Sequence, residues 1–536
     1  MLYYKRDTSG TTNWNSATSW STIGSTSATN AGTFPSSTTA DPVIFDANSS
    51  NVTVNVVSTC TSLDFTNYAG TITMTSNLTV HGNVTLGASM GIAGLGTLSI
   101  QATSTYTSNG VTWPNTLTLA AFGNITVTLA SSITTVQNLS NTGSNTANIT
   151  TINGNTLNIL GNLTILVILA GSTQVNLIGT GTWNSANLGV EVRTKLNIDT
   201  LGTITRGANG YAYAGPELKY TQGNLVNGTA NLRLSAGDNT LSIISNGVNW
   251  GNVFVISATT TLTDDMNIND FVFSSSSVVL NGSNLRINGN LTSASSAVTT
   301  GTTVFQIIGT GNQTWTTLNT TTRIGNSMNI DKVSGTFTLS SANIAYGSAT
   351  AVLTYTQGTF VPGTSTFITQ AGVTFNIIAP GFSLNNWSPL VGTYTINTNP
   401  LIINSSLTLA GATTFAGTVG WDCGNLICPT AGTFNITLQE LVEYRTRVAV
   451  SITGGTSGLR PTIVSSGAAT RAIWTLDQSA TQTLIYVNGT RIDSSQNNGQ
   501  TIWTFGGTIS TTPPGAETLN WNVGTRPGTV AYSFIF

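Results

Sequence analysis

The stretch LNILGNLT at residues 157–164 returns as LRINGNLT at 285–292. In both copies aliphatic side chains alternate with polar ones, a Gly-Asn pair follows, and a Leu-Thr opens the next segment. Period-2 alternation marks a strand with one buried face. Gly-Asn marks a tight corner. An inward pair, a corner and another inward Leu describe a chain turning from one wall of a coil to the next. The phrase therefore predicts a β-solenoid (β-helix) in preference to a string of β-sandwiches. In such a coil, Asn and Thr can hydrogen-bond to their counterparts above and below.

The surrounding sequence has the same texture. VTVNVV (52–57), SLDFT (62–66), TITMT (71–75), LTV (78–80) and VTL (84–86) are short alternating runs, broken about every ten residues by Gly or Asn. Only 6% of the 536 residues are charged, yet 39% are apolar. The surface must then be built from Thr, Ser and Asn, while the apolar content suffices for a core. Between Asp64 and Glu191 there is no charged side chain, apart from the titratable His81. The fold class that follows is all-β, an elongated β-solenoid.

Longer-range repetition points to duplicated units of about 130 residues. LIGTGTW (177–183) recurs as IIGTGNQTW (307–315), LNIDTLGTIT (196–205) as MNIDKVSGTFT (328–338), and LKYTQGN (218–224) as LTYTQGT (353–359). SNGVTWPN (108–115) recurs as SNGVNWGN (245–252), with Trp113 and Trp250 137 positions apart and Trp387 the same distance on. These tryptophans are read as structural repeat markers. Asn-Gly supplies the corner, and Val111 and Trp113 are expected to alternate inward. The resulting division is a cap or attachment segment (1–46), first coils (47–110), repeat units over 111–247 and 248–384, and a shortened unit over 385–435. A separate C-terminal β-sandwich-like domain is expected over 436–536. That last segment carries 11 of the 34 charged residues, and Asn488-Gly489 in YVNGTRI predicts a type I′ hairpin.

Composition narrows the chemistry. A net charge of −2 leaves no basic footprint for nucleic acid. LTILVILAG from Leu163 is less than half a membrane span, and no secretory signal is expected at MLYYKRDTSGTT. Cys423 and Cys428 are close enough in sequence to pair, but free, half-buried thiols are expected. A lone His81 beside a Gly-Asn corner argues against an acyl-transfer triad. In TDDMNIND, Asp265, Asn267 and Asn269 fall on one face and resemble part of a calcium loop, without its Gly or distal Glu. Turn hydrogen bonding by that group, with Asp264 and Asp270, is the expected reading, and no metal or cofactor is assigned. Glu440, Glu443, Arg445 and Arg447 read as a charged strand edge that discourages aggregation. No catalytic residue emerges. Eleven Trp and 13 Tyr allow sugar stacking, although Trp in a repeated β unit is expected to fill the core.

The opening YYKRDTSGTTNWNSATSWS…FPSSTTADPVIFDANSS resembles a diffuse family of Thr/Asn/Gly-rich proteins of tailed bacteriophages, many of them aquatic. Trp14, Trp20, Pro35, Asp41 and the Val43–Asp46 run match that family's pattern. Arg6-Asp7 replaces its Gly-Gly, and Pro42 its second Asp. TSNGVTWPNTLTL, GTGTW and IDSSQNNGQTIWTFGG also look like family phrases. The resemblance implies a non-enzymatic virion structural or adhesive protein: a tail fibre, spike or head-decoration fibre concerned with host attachment. Its implied partners are other virion proteins, further copies of itself (a trimer among the options) and a host-surface glycan. It implies assembly in the host cytoplasm and extracellular exposure after lysis. A polysaccharide-degrading tailspike and a bacterial surface adhesin or filament subunit stand as alternatives.

Overall fold

The computed structural model describes residues 1–7, 12–36, 41–185, 190–207, 210–229, 231–235, 241–274, 277–293, 298–317, 322–429, 432–454, 460–495, 499–509 and 518–524. The protein is all-β, with 58% of residues in strands wound as a parallel β-solenoid of about 21 turns. Two compact units, residues 1–267 and 268–536, are distinguished by their internal contacts. Among the described residues no helix is long and apolar enough to cross a membrane.

In the first unit each turn visits three walls in fixed order. Wall A contains Val52–Val54, Thr71–Met74, Gln174–Leu177 and Leu241–Ile244. Wall B contains Leu78–Val80, Leu98–Ile100 and Leu163–Ile165, and wall C contains Ser62–Asp64, Ser104–Thr107 and Ile168–Ala170. Longer strands such as Lys195–Arg206 run through a corner from wall A to wall B, with register shifts at the bend.

Parallel in-register pairing stacks each inward residue on its counterpart one turn away. On wall B the column is Leu78, Leu98, Leu117, Leu139, Leu163 and Trp183. On wall A it is Leu157, Val175, Leu196, Leu218, Ile243 and Leu262. The second unit has the same construction. Leu285, Phe305, Met328, Leu353, Phe375 and Ile396 form one column. All of these side chains are buried. Outward, Asn176 donates to Asn158 at 2.9 Å and Thr221 to Asn197 at 2.9 Å, so the polar face is also tied from turn to turn. Where coils come close, Gly171 (φ 121°) lies against Ile152 O and Gly301 (φ 117°) against Leu280 O. A Cβ there would sit about 2 Å from the carbonyl, so only glycine fits.

The start of the first unit is closed by aromatics. Strand Tyr3–Lys5 pairs parallel with Pro42–Ile44 and antiparallel with Trp20–Ser21. Trp14 and Trp20, both fully buried, meet edge-on at 4.8 Å, and Phe45 stacks on Phe65 at 4.4 Å. Lys5 is also fully buried, donating to Ser50 Oγ at 2.6 Å and to Arg6 O at 3.0 Å.

Several expectations are corrected. Strands beyond residue 435 continue the parallel ladder: Asn435–Leu438 pairs with Thr413–Gly417 below and Thr462–Ser465 above. The described part of the C-terminal segment is therefore solenoid where a separate sandwich-like domain was expected. Asn488-Gly489 does not turn a hairpin. It lies in strand Asn488–Thr490, parallel to Thr462–Ser465, and Gly489 is glycine because Trp521 occupies the space of a side chain. The left-handed positions flank that strand, at Tyr486 and Arg491. Strand Glu443–Thr453 is no edge, being paired on both sides. The strand predicted at AYSFIF lies outside the described residues. Cys60, Cys423 and Cys428 are buried thiols that form no disulfide, and burial pushes the Cys423 thiol up to about 12.

Two outcomes follow. Leu163→Ala removes a link from the wall B column and is expected to cost about 2–5 kcal/mol. Hydrogen exchange should accelerate in the strands around Leu139 and Trp183 while distant turns stay protected, because each coil touches only its neighbours. Burial, with Arg6 adding repulsion, lowers the Lys5 pKa from 10.5 to about 8. Between those values the unfolded chain holds a proton that the folded chain has lost, so stability rises with pH from about 8 toward 10.5. Melting curves of Lys5→Met should lack the part of the pH dependence that the wild type shows across this window.

Candidate functional site

The repeated tryptophans are packing residues. Trp113, Trp250 and Trp387 are all fully buried. The Asn-Gly corner preceding two of them is left-handed at both residues, with φ of 47° and 82° at Asn109-Gly110 and of 43° and 77° at Asn246-Gly247. Each Asn side chain donates to the coil below, Asn109 to Leu86 O at 2.7 Å and Asn246 to Tyr220 O at 2.8 Å. The corner's amides are capped by Ser131 Oγ in one copy and by the Asp264 carboxylate in the other.

The two corners nevertheless occupy different places in the coil. Trp113 follows wall C and enters wall A, in register with Val136. Trp250 follows wall A and enters wall B, where Asn249 O accepts from Asn227. The phrase is a portable corner and does not mark a fixed wall. Trp387 lies mid-strand in Ser383–Pro389, between Phe367 and Leu407, with no left-handed Asn-Gly before it. Val111 is half-exposed, contrary to the inward alternation expected. Equivalent positions are better marked by Trp183 on Leu163 and Trp315 on Leu291.

The Asp/Asn group of TDDMNIND ties neighbouring coils. Asp264 caps the corner described above, and Asn267 donates to Gly247 O at 2.9 Å. In the second unit Asp270 accepts from the Asn290 amide at 2.6 Å, and Asn269 O from the Gly289 amide at 2.9 Å. Among the described residues no three His, Cys, Asp or Glu side chains group as metal ligands would.

Charges gather in two lattices. In the first unit Glu191 is paired with Arg193 at 2.8 Å, lies 3.8 Å from Arg233, and accepts from Ser235 at 2.8 Å. In the second, Arg445 holds Asp477 in a two-pronged contact at 2.8 and 3.0 Å, Arg447 pairs with Asp422 at 2.8 Å, and Glu443 accepts from Thr475 at 3.0 Å. Burial raises the Asp422 carboxyl pKa more than Arg447 and Arg445 lower it. The topology thus gathers carboxylates that the sequence scatters, and engages each of these with a donor.

Lys332 is the second buried ammonium. It donates to Gly309 O, to Gln313 Oε1 and, at 2.9 Å, to Gly311 O, while Gln313 donates to Ile287 O at 3.1 Å and Gly289 O at 2.5 Å. In the duplicate unit these positions are Thr200 and Gly181.

Ten of the eleven tryptophans are buried, and Trp503 is the exception, half-buried. It points outward on strand Ile502–Thr504, one coil above strand Thr481–Ile485. Its amide donates to Gln482 Oε1 at 3.0 Å, and the exposed Asn522 lies in register with it. Two residues on, Phe505 is 54% exposed and in register with Ile485. Beside them Tyr486 adopts φ 53°, a conformation costing a non-glycine residue about 1 kcal/mol. Its ring lies against Gly506 of the next coil, where a Cβ would be 2.6 Å from ring carbon Cε1. The Arg460 guanidinium stands 6.0 Å from the centre of that ring. A strained aromatic beside one exposed and one half-buried ring is the arrangement associated with ligand contact. The phrase TIWTFGG carried the signal for Trp503 and Phe505 in their shared alternation phase. Tyr486 and Arg460 join them only through folding.

Comparison with protein families, curated proteins and solved structures returns no match.

Lys332→Met leaves Gly309 O, Gly311 O and Gln313 Oε1 without their donor and should cost about 1–3 kcal/mol for each acceptor left dry. Lys332→Thr combined with Gln313→Gly copies the first unit and should recover part of that loss. Denaturation of Lys332→Thr, Gln313→Gly and the double variant measures it, and additive losses would sink the coupling.

Proposed function

We propose that this protein is a non-enzymatic structural and attachment protein of a tailed-bacteriophage particle, exposed as a fibre, spike or head decoration. The observation carrying this reading is the division of labour in the described surface. Neutral Asn and Thr ladders cover the walls, and the charged lattices are internally paired. The exception among the tryptophans, Trp503, is grouped with Phe505 and Tyr486 in the last described coils. A solenoid suits such a role because length can grow turn by turn without enlarging the core. The sequence resemblance to aquatic-phage structural proteins supplies the biological setting. In that setting the partners are other virion proteins, further copies of the chain and a glycan of the host surface.

Antibodies raised against the purified chain should label virions of the phage that encodes it and slow adsorption to its host. Unlabelled virions would overturn the reading. Shortened host polysaccharide after incubation with the purified chain would overturn its non-enzymatic part.

A further inference from the structure

We propose that the surface formed by Trp503, Phe505, Tyr486 and Arg460 binds a carboxylate-bearing polysaccharide, the rings stacking on sugar faces and the Arg460 guanidinium meeting a carboxylate. This deepens the attachment reading above and rests on it. Trp503 and Phe505 project from one side of the chain two residues apart, about 6.6 Å along the strand direction. That offset presents two ring faces to one extended chain. The flanking Gln482 and Asn522 are neutral hydrogen-bonding groups, which suit sugar hydroxyls and do not suit an apolar partner.

Charge identifies the sugar class. Several arginines elsewhere have oxygen partners: Arg445 has Asp477, Arg447 has Asp422, Arg193 has Glu191, and Arg491 donates to Ser465 O, whereas Arg323 shares with Arg460 an Nε buried without an acceptor. Among the described residues Arg460 has neither an ion pair nor a hydrogen bond; its contact is the face of Tyr486, and its Nε is buried without an acceptor. A guanidinium held over an aromatic ring keeps its donors directed outward and matches a planar carboxylate in a forked pair. Tyr486 in its left-handed conformation positions that guanidinium, with Gly506 leaving room for the ring.

The test is affinity electrophoresis of the purified full chain in gels containing polygalacturonate, alginate or hyaluronate, each acidic, with dextran and fully methyl-esterified polygalacturonate as uncharged polymers. Retardation by at least one acidic polymer is expected, weakened about tenfold in Phe505→Ala and in Trp503→Ala. Arg460→Gln should abolish the preference for free-acid over esterified polygalacturonate. Arg193→Gln, which removes the same charge from an ion pair in the other unit, should leave retardation unchanged, and melting temperatures confirm that the variants fold. Four results would overturn the proposal: no retardation by any acidic polymer, equal retardation of the variants, equal binding of esterified chains, or an Arg193→Gln loss as large as that of Arg460→Gln. A change in sedimentation of Phe505→Ala would instead assign the patch to self-association. Virions labelled by antibody but no polymer binding would leave the attachment reading and remove this ligand.

Discussion

The structure depends on the hydrogen bond between parallel strands one turn apart, made in register. Because each residue bonds to its counterpart in the next coil about 4.8 Å away, the two side chains point the same way and touch. One choice of residue therefore propagates along a wall. Leucine on leucine makes the wall B column, and asparagine on asparagine makes the outer ladders. The same constraint accounts for the scarcity of charge. A charge repeated in a column would face its like at under 5 Å, an interaction of about 1 kcal/mol even in water and more at a protein surface. Neutral amides and hydroxyls bond in such columns at no such penalty.

Where charge does occur, the register shows how it is accommodated. Asp422 lies in register with Arg445, so opposite signs alternate. Asp199 and Asp331 each stack against a glutamine, Gln222 and Gln357, which donate to them at 2.9 and 2.7 Å. Buried ammonium groups appear where the coil is irregular: Lys5 at the aromatic closure of the first unit, Lys332 at a corner whose carbonyls point inward. In both places the cation supplies the hydrogen bonds that a ladder strand would otherwise provide.

The fold class was legible because a single feature, alternation broken by Gly or Asn at short intervals, repeats throughout the chain. LNILGNLT and its copy read correctly as strand, corner and strand. Local signals failed where an identical phrase has more than one structural use. Asn488-Gly489 reads as a hairpin, yet Gly489 is selected by Trp521, which is distant in sequence. The charge-rich segment after residue 435 reads as a change of domain, yet its described strands continue the parallel ladder with alternating buried residues. SNGVTW reads as a register mark, yet the same corner turns wall C into wall A in one copy and wall A into wall B in the other.

By itself the sequence determined the all-β class, the coiling, the inward positions and the neutral surface, because these follow from alternation and composition within a few residues. Tertiary structure decided which residues meet. It placed Arg460 over Tyr486, Tyr486 against Gly506 beside Phe505, and Asp422, Arg445, Arg447 and Asp477 in one lattice. These partners lie one or two coils apart, and the coil length varies with each corner. Their meeting is set by the accumulated length of the intervening corners, a sum that no local pattern in the chain records.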